Sequence, residues 1–227
     1  MADFSSKDAV VLWARQALLP DGWAQDVALH IGADGRISRI DHGPAPADAL
    51  RREVIVHAPA NTHSHAFQRA MAGLTERRSA AQSDSFWSWR QLMYRFLDRI
   101  TPDQVQAIAA YVQMEMLEAG FGANVEFHYL HHAPGGQTYD NLAELSARIA
   151  AAAEQTGIGL TLLPVHYQQG GCDGRALTGG QLRFGNDAAR FARLFDGARQ
   201  ALAGLPQDTR IGVAPHSLRA VAARDLA

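Results

Sequence analysis

The feature that most constrains this chain is an alternation of apolar stretches of strand length with stretches of helix length, each apolar stretch running into a histidine-bearing polar segment. Strands are expected before His63, over Ala123 to Tyr129, over Ile158 to Tyr167, and near Ile211 to Ala214. Between them, Trp87 to Ile100, Pro102 up to Gly120, Asn141 to Gln155 and Asp187 to Leu202 read as helices. Thr101-Pro102-Asp103-Gln104 is a strong helix start: threonine caps, proline fits the first turn, and Gln104 completes a capping box. Strands alternating with helices of this length predict parallel βα units, about four of them. Polar residues gather at one end: His63 and His65, His128 and Tyr129, His166 and Tyr167, His216 and Arg219. Residues at the C-terminal ends of parallel strands share one rim, which is where a (β/α)8 barrel places its chemistry. A doubly wound sheet would bring a Gly-rich phosphate loop after its first strand, and the sequence has none there.

Within that pattern, Ala60-Asn61-Thr62-His63-Ser64-His65-Ala66-Phe67-Gln68-Arg69 is the richest stretch. If Val54 to Asn61 run as a strand, the period of two turns His63 and His65 to one face and Ser64 to the other. Two neutral imidazoles then converge, a donor set suited to zinc or another divalent transition metal. A bare His-x-His is more often a pair of surface or hydrogen-bonded histidines, so the strand end around it carries the argument.

The N-terminal part differs. Val10 to Leu19 and Val27 to Ile40 read as short strands broken by turns at Pro20-Asp21-Gly22 and Ala33-Asp34-Gly35. A Pro/Ala-rich connector, Gly43 to Ala47, leads to a further strand at Glu53 to Val56. The expected division is therefore a small β unit, 1–57, followed by the βα units, 58–227. A hydrophobic share of 47% with 19% charged residues describes an ordinary globular chain. A net charge of -2 argues against nucleic acid or an anionic membrane as partner and leaves a small molecule as the expected one. Met1 to Lys7 lacks the basic and apolar regions of a secretory signal, and the single cysteine, Cys172, suits a reducing cytoplasm.

Taken together, these segments resemble the amidohydrolase superfamily, and within it the formimidoylglutamate deiminases of histidine degradation. The resemblance is carried by Asn61 to Gly73, by Asp84-Ser85-Phe86-Trp87-Ser88-Trp89-Arg90 with Leu92-Met93-Tyr94-Arg95, by Glu126 to His132, by Gly157 to Val165 and by His216 to Val221. It implies the N-terminal half of a (β/α)8 barrel preceded by part of a small β-sandwich. It implies hydrolysis of N-formimino-L-glutamate to N-formyl-L-glutamate and ammonia, with zinc-acidified water attacking an amidine-like carbon. His63 and His65 are then metal ligands. Arg90 and Arg219 bind the substrate carboxylates, Gln68 and Tyr129 add hydrogen bonds, and His216 lies at the formimino end as a binding and catalytic residue. Guanidinium suits a dicarboxylate because its planar fork pairs with both carboxylate oxygens. The full-length enzyme of such a family is expected to be a cytoplasmic homodimer.

Some features depart from the family. His57-Ala58-Pro59-Ala60 replaces a Pro-Gly turn, Gly122 to Val125 puts the polar Asn124 where a core residue is expected, and Gln168 to Cys172 is a looser loop. A complete barrel takes about 250 residues, more than the 227 of the whole chain. The remaining metal ligands are therefore expected beyond the C-terminus, and a shortened product, inactive and with an unpaired apolar sheet edge, is the expectation. The alternatives are another amidohydrolase-type deaminase, acting on guanine or a related heterocycle, and a non-catalytic remnant. Each residue also has a structural reading. Arg90 can stack on Trp87 or Trp89, Arg219 can pair with Asp225, and Gln68 and Tyr129 can be polar tips of buried bodies. His216 can be a hydrogen-bonded structural histidine, and Cys172 is read as inert. His128, His131 and His132 read as part of a surface loop rather than a second metal site.

Overall fold

The structure is a computed structural model and describes residues 9–75 and 86–226. The N-terminal segment Met1 to Lys7 and the motif residues Asp84 and Ser85 lie outside the described residues, as do the side chains of Phe86 and Trp87. The chain divides into two compact units, Met1–Ala58 and Pro59–Ala227.

The first unit is a sheet of β1 (Val10–Leu19), β2 (Gly22–Ile31), β3 (Ile37–His42) and β4 (Leu50–Ile55), in the order β3-β2-β1-β4. β1 and β2 form a hairpin turned at Pro20-Asp21, where Gly22 takes a φ of 117° that a side chain would resist. β2 begins at Gly22 rather than at Val27, because the hairpin ladder skips Asp26, whose φ is positive, and resumes from Gln25 to Gly22. Ala14, Ala17, Val27 and Leu29 form the small core.

β4 corrects a sequence expectation. It pairs parallel to β1 within the small sheet, and the chain leaves strand geometry from Val56 to Pro59 before β5 (Ala60–Ser64) begins. The continuous strand expected over Val54 to Asn61 is thus two strands in two sheets, separated by a segment whose Pro59 has no N–H to give to a ladder.

In the second unit β5, β6 (Ala123–His128), β7 (Gly159–His166), β8 (Arg210–Ile211) and β9 (Ala214–Pro215) pair in parallel. The fourth predicted strand is split, with β8 and β9 each pairing to β7 on either side of Gly212-Val213. Helices α1 (Phe86–Leu97), α2 (Pro102–Glu118), α3 (Glu144–Thr156) and α4 (Ala188–Ala201) supply the crossovers. The capping box at α2 forms as expected: the Gln104 N–H donates to Thr101 Oγ1 at 3.3 Å and the Thr101 N–H to Gln104 Oε1 at 3.0 Å. α3 starts at Glu144, later than expected, because Asn141 closes a turn by accepting the Ala143 N–H at 3.0 Å.

Alternation along β6 separates a buried face from a cavity face. Asn124, Glu126 and His128 are buried on one face, while Val125 and Phe127 are half-buried on the other and line a cavity. Leu160 and Leu162 of β7 continue the buried face, against which α3 and α4 pack. Among the described residues β5 pairs only with β6, so one edge of this parallel sheet is unpaired.

The loop after β6 is not a surface loop, contrary to the sequence reading. His131 is 1% exposed and His132 0% exposed. Arg183, itself fully buried, reaches across to the carbonyls of His132, Leu97 and Ile100, and its own carbonyl accepts the His131 and His132 N–H groups. His131 Nε2 lies 2.9 Å from the Val165 carbonyl, and His132 Nε2 2.9 Å from that of Gly185. A long polar side chain from a distant segment pulls this loop inward, a contact no local pattern announces.

Candidate active site

A cavity of about 520 Å³ opens at the C-terminal ends of the parallel strands. His63, His65, Gln68, Arg90, Tyr129, His216 and Arg219, the seven residues singled out from sequence, all line it.

The two histidines arrive from an irregular strand end. β5 and β6 pair Asn61 with Asn124 and then Ser64 with Glu126, so Thr62 and His63 fall where the register shifts. A bulge of this kind re-aims side chains, and Thr62 and His63 both reach the cavity wall. His65 follows the strand as the residue before the 3-10 turn Ala66–Met71. The His63 and His65 rings lie edge to face with centroids 5.1 Å apart. His65 Nδ1 is 3.2 Å from the Phe127 carbonyl. A carbonyl only accepts, so Nδ1 carries the proton and Nε2 keeps the lone pair that a cation needs. Burial holds the His65 pKa below its ordinary value, against the raising effect of the Phe127 carbonyl. The donor set therefore fits two positions of a divalent cation's shell, and among the described residues no group of three His, Cys, Asp or Glu side chains is placed to complete it.

The two arginines line the same cavity. Arg90, on α1, donates from Nε to Tyr94 Oη at 2.7 Å, and its guanidinium carbon lies 5.1 Å from the Tyr94 ring centroid. Arg219 does not take the structural alternative suggested by sequence: Asp225 instead meets Arg224 at 3.5 Å and Gln168 at 3.1 Å. Arg219 Nε is buried without a hydrogen-bond partner among the described residues. Gln68 Nε2 donates to Tyr129 Oη at 2.5 Å, and that hydroxyl points at Met93 Sδ, 3.8 Å away. Burial raises the Tyr129 pKa, so the phenol stays protonated. His216 follows β9 and packs on Tyr167 and Tyr129, with ring centroids 4.6 and 5.5 Å away. Burial first, then Arg219, His65 and Arg90, push its pKa down to about 4, so it is neutral at neutral pH. Tyr94, Tyr167 and Glu126 carried no predicted role, although all three lie in the segments that carry the resemblance or end a strand.

A parallel sheet with a histidine pair at the end of its first strand and a cavity over the strand ends is the arrangement that the resemblance to the amidohydrolase class implies. Within that class its likeness is to the N-terminal portion of the formimidoylglutamate deiminases. Residues 9–53 match the family model described as formimidoylglutamate deiminase HutF, N-terminal domain. The chain is 45% identical over 218 residues to the formimidoylglutamate deiminase of Pseudomonas aeruginosa, covering 95% of this chain and 47% of that protein. Among solved structures, an amidohydrolase from Brucella melitensis superposes with a TM-score of 0.90 at 52% identity, covering 96% of this chain and 48% of that one. A guanine deaminase from C. acetobutylicum shares the fold at a TM-score of 0.65 and 11% identity, covering 94% of this chain and 48% of that one. A zinc-complexed atrazine chlorohydrolase from Arthrobacter aurescens TC1 does so at 0.67 and 17%, covering 91% and 46%. The chain thus spans about half the length of the relatives it matches. Among the described residues no helix is long and apolar enough to cross a membrane.

Proposed function

We propose that this chain carries the substrate-binding half of a metal-dependent deiminase that hydrolyses N-formimino-L-glutamate to N-formyl-L-glutamate and ammonia. The observation that carries the reading is one cavity lined both by the His63–His65 pair and by Arg90 and Arg219, with no carboxylate paired to Arg219 among the described residues. Cationic side chains on that wall suit a small dicarboxylate. The share of the relatives' length that this chain does not match is the proposed source of the remaining metal ligands.

A divalent cation, when bound, acidifies water and polarises the imino group. The protein's own residues do the rest. Arg90 and Arg219 orient the two carboxylates, and the Gln68–Tyr129 pair fixes a hydroxyl on the wall of the same cavity. His216, neutral at working pH, offers an imidazole rather than a positive charge to the formimino end. Overall, the oxygen of water bonds to the imino carbon, the carbon–nitrogen bond breaks, and the leaving nitrogen departs as ammonia. The reaction belongs in the cytoplasm, where a single exposed cysteine, Cys172, stays reduced.

Calorimetric titration of the chain with N-formimino-L-glutamate, in the presence of Zn2+, tests the reading. Arg219→Met should weaken binding by about tenfold or more, the loss of one charge-assisted pairing. Guanine should not compete. Equal binding of the ligand by the wild type and Arg219→Met, or tighter binding of guanine, would overturn the dicarboxylate assignment. Failure to retain any metal would favour a non-catalytic remnant.

A further inference from the structure

We infer that Glu126 is a positioning residue that holds the His63–His65 turn in its metal-ready geometry; this rests on reading that pair as cation ligands. Glu126 is 1% exposed, in β6, on the face turned away from the cavity. Among the described residues no Lys or Arg forms an ion pair with it. A buried carboxylate without a cationic partner is costly unless hydrogen bonds satisfy it. Its two shortest hydrogen bonds go to the turn around His65. Ser64 Oγ donates to Oε2 at 2.5 Å, the Ala66 N–H donates to Oε1 at 2.7 Å, and Asn124 Nδ2 stands 3.5 Å from Oε2.

Ser64 and Ala66 are the residues on either side of His65. The next residue of β6, Phe127, provides the carbonyl that takes the His65 Nδ1 proton. One two-residue piece of β6 therefore holds His65 through the side-chain hydroxyl of the residue before it, the main-chain N–H of the residue after it, and its own ring. The grip is needed because the ladder is interrupted there: pairing skips from Asn61↔Asn124 to Ser64↔Glu126, and backbone bonds alone leave Thr62 and His63 unregistered. The carboxylate substitutes for the missing rungs. Outer contacts of this kind set ligand tautomer and orientation in metal sites, and their loss commonly costs about 10–100-fold in metal affinity.

Two variants separate geometry from charge. Glu126→Leu removes both acceptors at similar volume. Glu126→Gln keeps one carbonyl for the Ala66 N–H and an amide that can donate to Ser64 Oγ. Ser64→Ala removes one donor only. The experiment records the His65 tautomer by long-range 1H–15N NMR without metal, and Co2+ affinity by optical titration. Ile149→Val, a truncation of a core side chain of α3, serves as the control for general loosening. The wild type should show Nδ1-protonated His65. Glu126→Leu should mix the tautomers and weaken Co2+ binding by about tenfold or more, Ser64→Ala should shift both readouts less, and Glu126→Gln should restore them. Wild-type tautomer and affinity in Glu126→Leu would overturn the inference, as would an equal shift in Ile149→Val. If Glu126→Leu does not fold, Ser64→Ala decides by the same criteria. Should the wild type bind no Co2+, the metal reading fails by itself, and the tautomer comparison still decides whether Glu126 positions His65.

Discussion

Mild acid should destabilise this protein through His128. That residue ends β6, is 3% exposed, and has a ring Nε2 buried without a hydrogen-bond partner among the described residues. Burial pushes its pKa from the ordinary 6.5 down to about 3. The folded state therefore resists protonation while the unfolded chain accepts a proton. Above the unfolded value both states are neutral and stability is fully present; it is lost as pH falls from there toward the folded value. At about pH 5 the unfolded chain gains about 1.5 pH units of proton binding that the folded one lacks, which is about 2 kcal/mol. His131, His132 and His166 are also pushed down by burial, and add in the same direction. Urea unfolding followed by circular dichroism at about pH 7.5 and about pH 5 reads the difference. His128→Leu abolishes this titration, so its loss between the two pH values should be about 2 kcal/mol smaller than that of the wild type. If the wild type and His128→Leu lose stability in parallel, the ring is not held neutral by its surroundings and the reasoning fails.

Arg183→Met should destabilise the protein by about 2–4 kcal/mol, because the carbonyls of His132, Leu97 and Ile100 each lose a donor inside the core while only the cost of burying one cation is relieved. Thermal unfolding checks it, and a change below about 0.5 kcal/mol would show that these contacts are offset by the buried charge. Thr101→Ala should cost about 1 kcal/mol through loss of the α2 capping box, visible as faster amide exchange in the first turn of that helix.

What the sequence reveals here depends on the distance over which each feature is determined. The α2 start is legible because threonine, proline and glutamine act within one turn. The strand ends are legible because apolar runs and the polar residues after them are adjacent. A period of two along a strand from Val54 predicts the histidine pair, but the strand starts at Ala60 and is irregular at Thr62-His63. The two rings still meet, and their approach is set by contacts with β6 as well as by the strand period. Arg183 and Glu126 were invisible as determinants because their partners lie at separations of 51 and 62 residues, and no local pattern encodes such a pairing. The polar Asn124, a departure from the expected apolar run, is accommodated because its amide faces Glu126 inside the sheet.

The same logic separates the histidines that can serve chemistry from those that serve the fold. Side chains on β6 alternate between the cavity and the buried face. His128 falls on the buried face, and the His131 ring stands 5.3 Å from it, edge to face. His131 and His132 direct Nε2 to main-chain carbonyls, and their Nδ1 atoms are enclosed without partners among the described residues. A cation could reach those lone pairs only by opening the core, at the cost of the packing that holds the loop. His65 has the opposite arrangement: its Nδ1 proton goes inward to the Phe127 carbonyl while the ring borders the cavity beside His63. Identical side chains thus acquire different roles from which ring nitrogen meets the backbone. Histidine count and spacing alone do not separate these two arrangements; the hydrogen bonds of the ring nitrogens do.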